Sequence, residues 1–156
     1  MSEQHRCPEC GADWTGGSTC QSVFDEFMGL EFYDTGYWAV HMLTVACFMI
    51  QHGRYSDAGL AWIEKQLRVN LDGEMTQEQI RASAAGEVSQ SQRDWKVTRR
   101  PDEPPLPKIP WSMTIVDVER ELMNYQGTDD AARYQELIKQ WARITLKEMR
   151  PLLDRS

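Results

Sequence analysis

The chain has 156 residues, of which 41% are hydrophobic and 26% are charged, as is ordinary for a soluble globular protein. This length predicts one domain, residues 1–156, and is sufficient for a hydrophobic core. The formal net charge of −7 and the isoelectric point near 5.0 argue against a protein that binds nucleic acids or anionic membrane surfaces.

The first residues of the chain indicate the cellular compartment in which the protein is expected. They carry charge, proline and cysteine in place of the apolar run of a signal peptide. No apolar segment reaches the ~20 residues that a membrane-spanning helix needs. We therefore expect a cytoplasmic protein with no membrane partner. Cysteines in that compartment are usually reduced, so a cysteine cluster indicates metal binding or chemistry before it indicates a disulfide.

The N-terminal arm, residues 1–19, contains a Cys-x-x-Cys-Gly turn made by Cys7, Cys10 and Gly11. The two-residue spacing lets both thiolates face one ion, and the glycine permits a tight loop around it, as in a zinc knuckle. A redox pair is the alternative. Redox pairs lie at the start of a helix, whereas Gly16 and Gly17 indicate that this arm is a loop. The pattern therefore favours metal binding.

A helical hairpin is predicted after the arm. Cys20 lies just inside a helix start that Ser18 or Thr19 caps. The apolar residues that follow have helical spacing: Val23, Phe24, Phe27, Leu30 and, less regularly, Phe32. A turn at residues 33–36 leads to a second helix, Tyr37–His52, which is apolar on every face and must be surrounded by other helices. The short turn makes the two helices antiparallel.

The next two elements are another helix pair. Ser56 is the expected cap of a third helix with an apolar stripe of Leu60, Ile63, Leu67 and Leu71. Thr76 caps a weaker helical run to about Val88. Residues 89–110 contain five prolines, which exclude helix and central strand and predict an irregular loop. A long connection of this kind is either a solvated loop or a lid or binding loop.

Two helices are predicted after the proline-rich loop. Thr114 and Asp117 fit a capping box, followed by the inward stripe Ile115, Val118, Leu122 and Tyr125. Thr128 starts the last helix, with the stripe Tyr134, Leu137, Ile138, Trp141, Ile144, Thr145 and Met149. No strand is predicted. The fold class is therefore all-α, a bundle of five or six helices with an N-terminal zinc knuckle.

Three cysteines and one histidine are the predicted ligands of a structural zinc ion. Cys7, Cys10, Cys20 and His52 provide the sulfur and nitrogen donors that tetrahedral zinc prefers, and four protein ligands leave no position for water. The alternative is a set of free buried thiols. Cys47, inside the buried helix, is expected to pack as a small apolar residue.

Helical geometry selects His52 over His41 as the fourth ligand. The two histidines are eleven residues apart, which places them ~16 Å apart along a helix axis, too far to share one ion. With a hairpin turn centred near residues 34–35, Cys20 lies opposite position 49 or 50, within one turn of His52. By the same arithmetic His41 lies opposite about Met28. His5 is at the start of the chain and is expected to have no specific role.

His41 has two possible roles. A histidine on a buried helix is usually a satisfied core residue that is bonded to a carbonyl or carboxylate. The functional alternative is a polar centre in a cleft, where Asp25, Glu26 or Glu31 joins His41 in binding a second metal or in acid–base chemistry.

Taken together, the motifs resemble an uncharacterised bacterial family of small helical proteins that contains a domain of unknown function. The motifs are the cysteine turn, the third cysteine at a helix start, an H-x-x-x-V element leading to Gln-His, and a late W-x-x-T-I-x-D-V followed by Tyr and Trp-Ala. In this chain they are residues 7–11, Cys20, 41–45, 51–52, 111–118, Tyr134 and 141–142. Gly53 stands where the family pattern has proline. The resemblance implies a helical fold and a metal more than an activity.

The leading functional hypothesis is a zinc-binding, non-enzymatic interaction or regulatory module. Exposed aromatic residues and the proline-rich loop are its candidate contact surfaces for a protein partner. The alternative is a small metal-dependent hydrolase or transferase with a cleft near His41. Nucleic-acid binding through the knuckle is a third hypothesis, which the acidic charge disfavours.

Overall fold

The computed structural model describes residues 6–14, 19–71, 98–100 and 102–154. Over these residues the chain forms seven helices and two isolated β-bridges, Arg6–Asp13 and Tyr55–Thr98. The predicted all-α class is confirmed. None of the described helices is both long and apolar enough to cross a membrane.

Five helices of ten or more residues and two of four residues form the bundle. In chain order the helices are α1 (Cys20–Tyr33), α2 (Thr35–Trp38), α3 (His41–Gln51), α4 (Asp57–Leu71), α5 (Ile115–Asn124), α6 (Asp130–Glu148) and α7 (Arg150–Leu153).

Helix α6 is the centre of the bundle. It contacts α2, α3, α4, α5 and α7. Its inward residues recur every three or four positions, so they form one continuous stripe along the helix. The fully buried members of that stripe are Tyr134, Leu137, Ile138, Trp141 and Thr145. This stripe and the apolar faces of α3 and α4 make the core against which the N-terminal arm rests.

Side-chain caps define several helix starts. The Thr19 side chain accepts a hydrogen bond from the Ser22 amide at 3.2 Å at the start of α1. Ser56 accepts from the Gly59 amide at 3.0 Å before α4, as expected from the sequence. At α5 the Thr114 amide donates to Asp117 at 2.8 Å. The last long helix begins later than predicted, because Asp129, and not Thr128, caps it through the Ala132 amide at 3.0 Å.

The predicted helix Tyr37–His52 is divided in the structure. Asp34 caps the separate short helix α2 by accepting from the Gly36 amide at 2.8 Å, and α3 begins only at His41. Gly36 lies so close to α6 that a Cβ atom there would be 2.9 Å from the Ala131 Cβ. The extra turn lets α2 pack against α6, and it lengthens the connection between α1 and α3.

Some sequence predictions lie outside the described residues. These are the helix Thr76–Val88, the first part of the proline-rich loop at residues 89–97, and His5 in the arm.

Candidate metal centre

The N-terminal arm folds into a tight turn around Cys7. The Gly11 amide donates to the Cys7 carbonyl at 3.0 Å, and the Cys7 amide donates to the Ala12 carbonyl at 2.8 Å. Gly11 has φ +81°, a left-handed conformation that suits glycine. The amides of Glu9 and Cys10 both donate to the Cys7 sulfur at 3.4 Å. These amide hydrogen bonds hold the Cys7 sulfur inside the turn.

Two helix ends meet this turn. Cys20 is the first residue of α1, and His52 follows the last residue of α3. Phe24 and Phe48 stack with their ring centroids 4.2 Å apart, which holds the two helices side by side at this level. One possible ligand atom from each of Cys7, Cys10, Cys20 and His52 lies within 4.8 Å of the others, and all four residues are buried. The arrangement is compatible with a metal site.

The histidine is oriented by its own helix. His52 Nδ1 lies 2.7 Å from the Phe48 carbonyl oxygen, and since that oxygen only accepts, Nδ1 is the protonated nitrogen. Nε2 therefore carries the free lone pair. It is buried and has no hydrogen-bond partner within the described structure. A buried nitrogen without a partner is costly, and a metal ion would satisfy it.

The sulfurs are close enough to share a proton. Cys10 and Cys20 Sγ atoms are 3.5 Å apart, and the Trp14 indole donates to Cys20 at 3.3 Å. The hydrogen bond from Cys10 is the main cause that lowers the pKa of Cys20, and it raises the pKa of Cys10. Three buried cysteine sulfurs close to one another are a good donor set for a soft or borderline cation.

The structure brings together the four residues singled out by the sequence, but in a different helix register. Cys20 lies beside His52, and His41 Nδ1 lies 2.6 Å from Glu31 Oε1. The prediction that His41 faces Met28 was therefore wrong by about one turn. The pairs Cys20–His52, Phe24–Phe48 and Glu31–His41 are all centred on position 36, because α2 extends the connection beyond the predicted turn.

Cys47 is separate from this cluster. It is fully buried within α3, and burial raises the pKa of its thiol to about 12. The thiol is therefore neutral near pH 7, which agrees with the expectation that it packs as a small apolar residue.

Glu31 forms the centre of a second polar cluster, of which the sequence indicated only the contact with His41. Its side chain is 1% exposed, and it accepts hydrogen bonds from His41 at 2.6 Å and from the Tyr134 hydroxyl at 2.7 Å. Thr44 lies 3.2 Å from the same hydroxyl. Glu31 was one of three candidate acids near His41, but no sequence signal indicated Tyr134, which looks like an ordinary member of an apolar stripe.

Electrostatics keep Tyr134 protonated as a donor. Burial is the main cause that raises the pKa of its hydroxyl, and the charge of Glu31 raises it further. The His41 ring stacks on Trp38 with centroids 4.1 Å apart. The His41 side chain is 28% exposed, and it has a carboxylate partner and an aromatic neighbour. This is the arrangement of a satisfied histidine at the edge of the core.

Replacing Tyr134 with phenylalanine is expected to destabilise the protein. The variant keeps the ring contacts but leaves one oxygen of Glu31 without its donor, at a cost of about 1–3 kcal/mol. Thermal unfolding should show a melting temperature lower by roughly 2–10 °C. Tyr33→Phe is the matched control, since Tyr33 is 88% exposed and its melting temperature should not change. Equal melting temperatures for both variants would contradict the role given to this hydroxyl.

Comparison with known proteins gives the family of the chain. Searches among curated proteins and among solved structures found no significant match. A family model matches residues 5–150, which include the cysteine turn, His52 and all the helices through α6. The chain therefore belongs to DUF5946, a family of unknown function.

Proposed function

We propose that this protein is a zinc-binding helical module in which the ion is structural. The observation that carries the proposal is the closed donor set of three sulfurs and one imidazole nitrogen, all buried and within 4.8 Å of one another. Tetrahedral zinc prefers these donors, and four protein ligands leave no coordination position for a substrate or water. In this proposal Cys7, Cys10, Cys20 and His52 are the ligands.

The structural role follows from how the arm is attached. Residues 6–14 contain no helix, and their buried apolar residues are mostly the cysteines themselves. Outside the cluster, Trp14 packs against the core. The arm also makes two polar contacts with the bundle, between Arg54 and Glu9 at 3.3 Å and between Lys108 and the Pro8 carbonyl. Both contacts involve exposed side chains and are weak in water. Metal binding would supply the stabilisation that this short segment lacks.

We further propose that the module is non-enzymatic and acts through a protein partner in the cytoplasm. Phe32 and Tyr33 at the end of α1 are 87% and 88% exposed, with ring centroids 6.1 Å apart. Exposed aromatic pairs are typical of contact surfaces between proteins. A cytoplasmic location supports metal binding because it keeps the three thiols reduced.

The enzyme alternative has one observation in its favour, the Glu31–His41 pair. A hydrolase or transferase would also need a cleft that reaches the imidazole. His41 does not line any of three cavities formed by residues in the described part of the chain. The pair is better explained as a hydrogen bond that gives a buried side chain, Glu31, a partner.

Cobalt substitution tests whether the metal site is closed. Co²⁺ bound by three thiolates and one imidazole should give the intense visible absorption of a tetrahedral thiolate complex. Because all four positions are taken by protein, azide or cyanide at moderate concentration should not change that spectrum. A spectral shift that saturates with added azide would show an open position, and it would favour the enzyme alternative.

The acidic charge predicts weak binding to nucleic acids. With a net charge of −7, the protein should show only weak affinity for mixed-sequence DNA or RNA near physiological salt. Fluorescence polarisation with labelled oligonucleotides measures this. Submicromolar affinity that falls steeply with added salt would overturn the prediction, because it would reveal a basic surface strong enough to exceed the overall charge.

A further inference from the structure

A groove lined by positive charge lies where three helices meet. Its volume is about 560 Å³, and the C-terminal parts of α4 and α6 form it together with the start of α7. We call it the cationic groove, and its lining residues are Arg68, Leu71, Arg143, Leu146, Lys147 and Arg150. None of these six residues is a proposed metal ligand, and none lines the two cavities whose walls contain proposed ligands.

Four of the lining residues are cations, and two of them have no counter-ion. Arg68 and Arg150 each pair with a carboxylate four residues away in the chain. Arg143 and Lys147 are exposed, and neither has an ion-pair partner within the described structure. The groove therefore keeps an excess of positive charge, although the chain as a whole has a net charge of −7.

Helix stability explains only part of this arrangement. Arg68, Lys147 and Arg150 lie in the last turns of their helices, where cations favour the negative helix end. Arg143 lies before the last turn of α6 and gains little from that field. It also lies four residues before Lys147, a spacing at which two like charges destabilise a helix. An anion bound beside both side chains would remove this repulsion.

Two leucines form the apolar part of the groove. Leu71 and Leu146 are partly buried and pack against the core, and their remaining exposed surface lines the groove. A simple inorganic anion would leave this surface in water. A ligand that also carries an apolar side chain would cover it and gain from its burial.

We propose that the cationic groove binds an acidic segment of a protein partner, with an apolar side chain placed against the two leucines. Arginine binds carboxylates through two parallel hydrogen bonds, and arginine clusters recognise acidic motifs in proteins. A long nucleic acid suits the groove less well, because it would extend beyond the groove onto a chain that is acidic overall. This inference rests on the proposed function, since it gives the chemistry of the partner.

Three short synthetic peptides test the ligand class on the zinc-loaded protein. The first is rich in glutamate and has leucine at two positions. The second has glutamine in place of every glutamate, and the third has glycine in place of both leucines. Protein-observed NMR titration at low salt should show saturable binding of the first peptide. The second should bind about tenfold more weakly or worse, and the third about threefold more weakly or worse.

Several results of these titrations would overturn the proposal. One is no saturation by the first peptide up to about 1 mM on protein with one zinc per chain. Equal affinity for the first peptide and for the glutamine or glycine peptide is another. A DNA oligonucleotide of the same charge that binds the groove more tightly than the first peptide would also overturn it, in favour of a nucleic-acid surface.

Variants locate the binding in the groove. Arg143→Gln and Lys147→Gln should each weaken binding of the first peptide about threefold or more, because each removes a cation without breaking an ion pair. Arg120→Gln is the matched control, since Arg120 lies on α5 outside the groove and the variant loses the same charge. Unchanged affinity in the Arg143→Gln/Lys147→Gln double variant, or equal weakening in Arg120→Gln, would overturn the proposal.

Elemental analysis of the same samples separates this proposal from the metal centre. If the first peptide fails to bind to protein with one zinc per chain, the groove proposal is wrong and the structural zinc stands. If the peptide binds as expected to wild-type protein that is purified without zinc, the groove proposal stands and the structural zinc is wrong.

Discussion

Removing the metal from the purified protein is expected to lower its melting temperature on the order of 10 °C. Zinc should be present at one ion per chain after purification in reducing buffer without chelator. The free energy of metal binding is coupled to folding, because the arm has few other buried contacts and the ligands are brought together only in the folded chain. Elemental analysis and thermal unfolding, before and after treatment with a strong chelator, measure both quantities.

The helical bundle should survive this treatment in part. Helix α6 and its buried stripe contact α3, α4 and α5 without passing through the metal centre, so circular dichroism should retain most of its helical signal. Cys10→Ser should reproduce the chelated state. Cys47→Ala is the matched control. Cys47 is buried outside the cluster, so this variant should keep its zinc. A zinc content far below one per chain in the wild type would contradict the proposed function.

Two histidine substitutions are expected to separate the metal centre from the Glu31 cluster. His52→Ala should lose zinc and show the low melting temperature of the chelated protein, since His52 supplies the nitrogen donor among the four clustered residues in the described part of the chain. His41→Ala should keep one zinc per chain but be less stable. Its loss leaves the buried Glu31 carboxylate with Tyr134 as its remaining side-chain partner, at a cost of about 1–3 kcal/mol.

Conservative variants distinguish the two roles further. His52→Cys should retain metal, because four cysteines are also a good zinc donor set. His41→Asn should recover part of the stability lost in His41→Ala, since its amide can still donate to Glu31. Metal loss in His41→Ala together with full metal content in His52→Ala would show that the helix register described above is wrong.

The sequence by itself determined the fold class and most of the helix positions. The stripes of α4 and α6 have such regular apolar spacing that few other structures can bury them, and the caps at Ser56 and Asp117 follow from local hydrogen bonding. These features depend on residues three or four positions apart. They can therefore be read without knowing what the helix packs against.

The four proposed ligands were also accessible from the sequence. The spacing of Cys7 and Cys10 is a local property of a turn, and the distance between His41 and His52 along one helix excludes a shared ion. Counting residues along the two helices of the hairpin selected His52, although the predicted centre of the turn was not the observed one. His52 lies beside Cys20 despite this error, because the two residues are at the two ends of the hairpin and His41 is about three helical turns away. Its role as a ligand stays a prediction.

Only the tertiary structure decided the register of the hairpin and the partners of the buried polar groups. Helix α2 exists as a separate turn because Gly36 packs closely against Ala131, almost a hundred residues later in the chain. Glu31 and Tyr134 are also remote in the chain, and the packing of their helices brings them into contact. Contacts between remote segments depend on how helices pack in three dimensions, which the local spacing of residues does not encode.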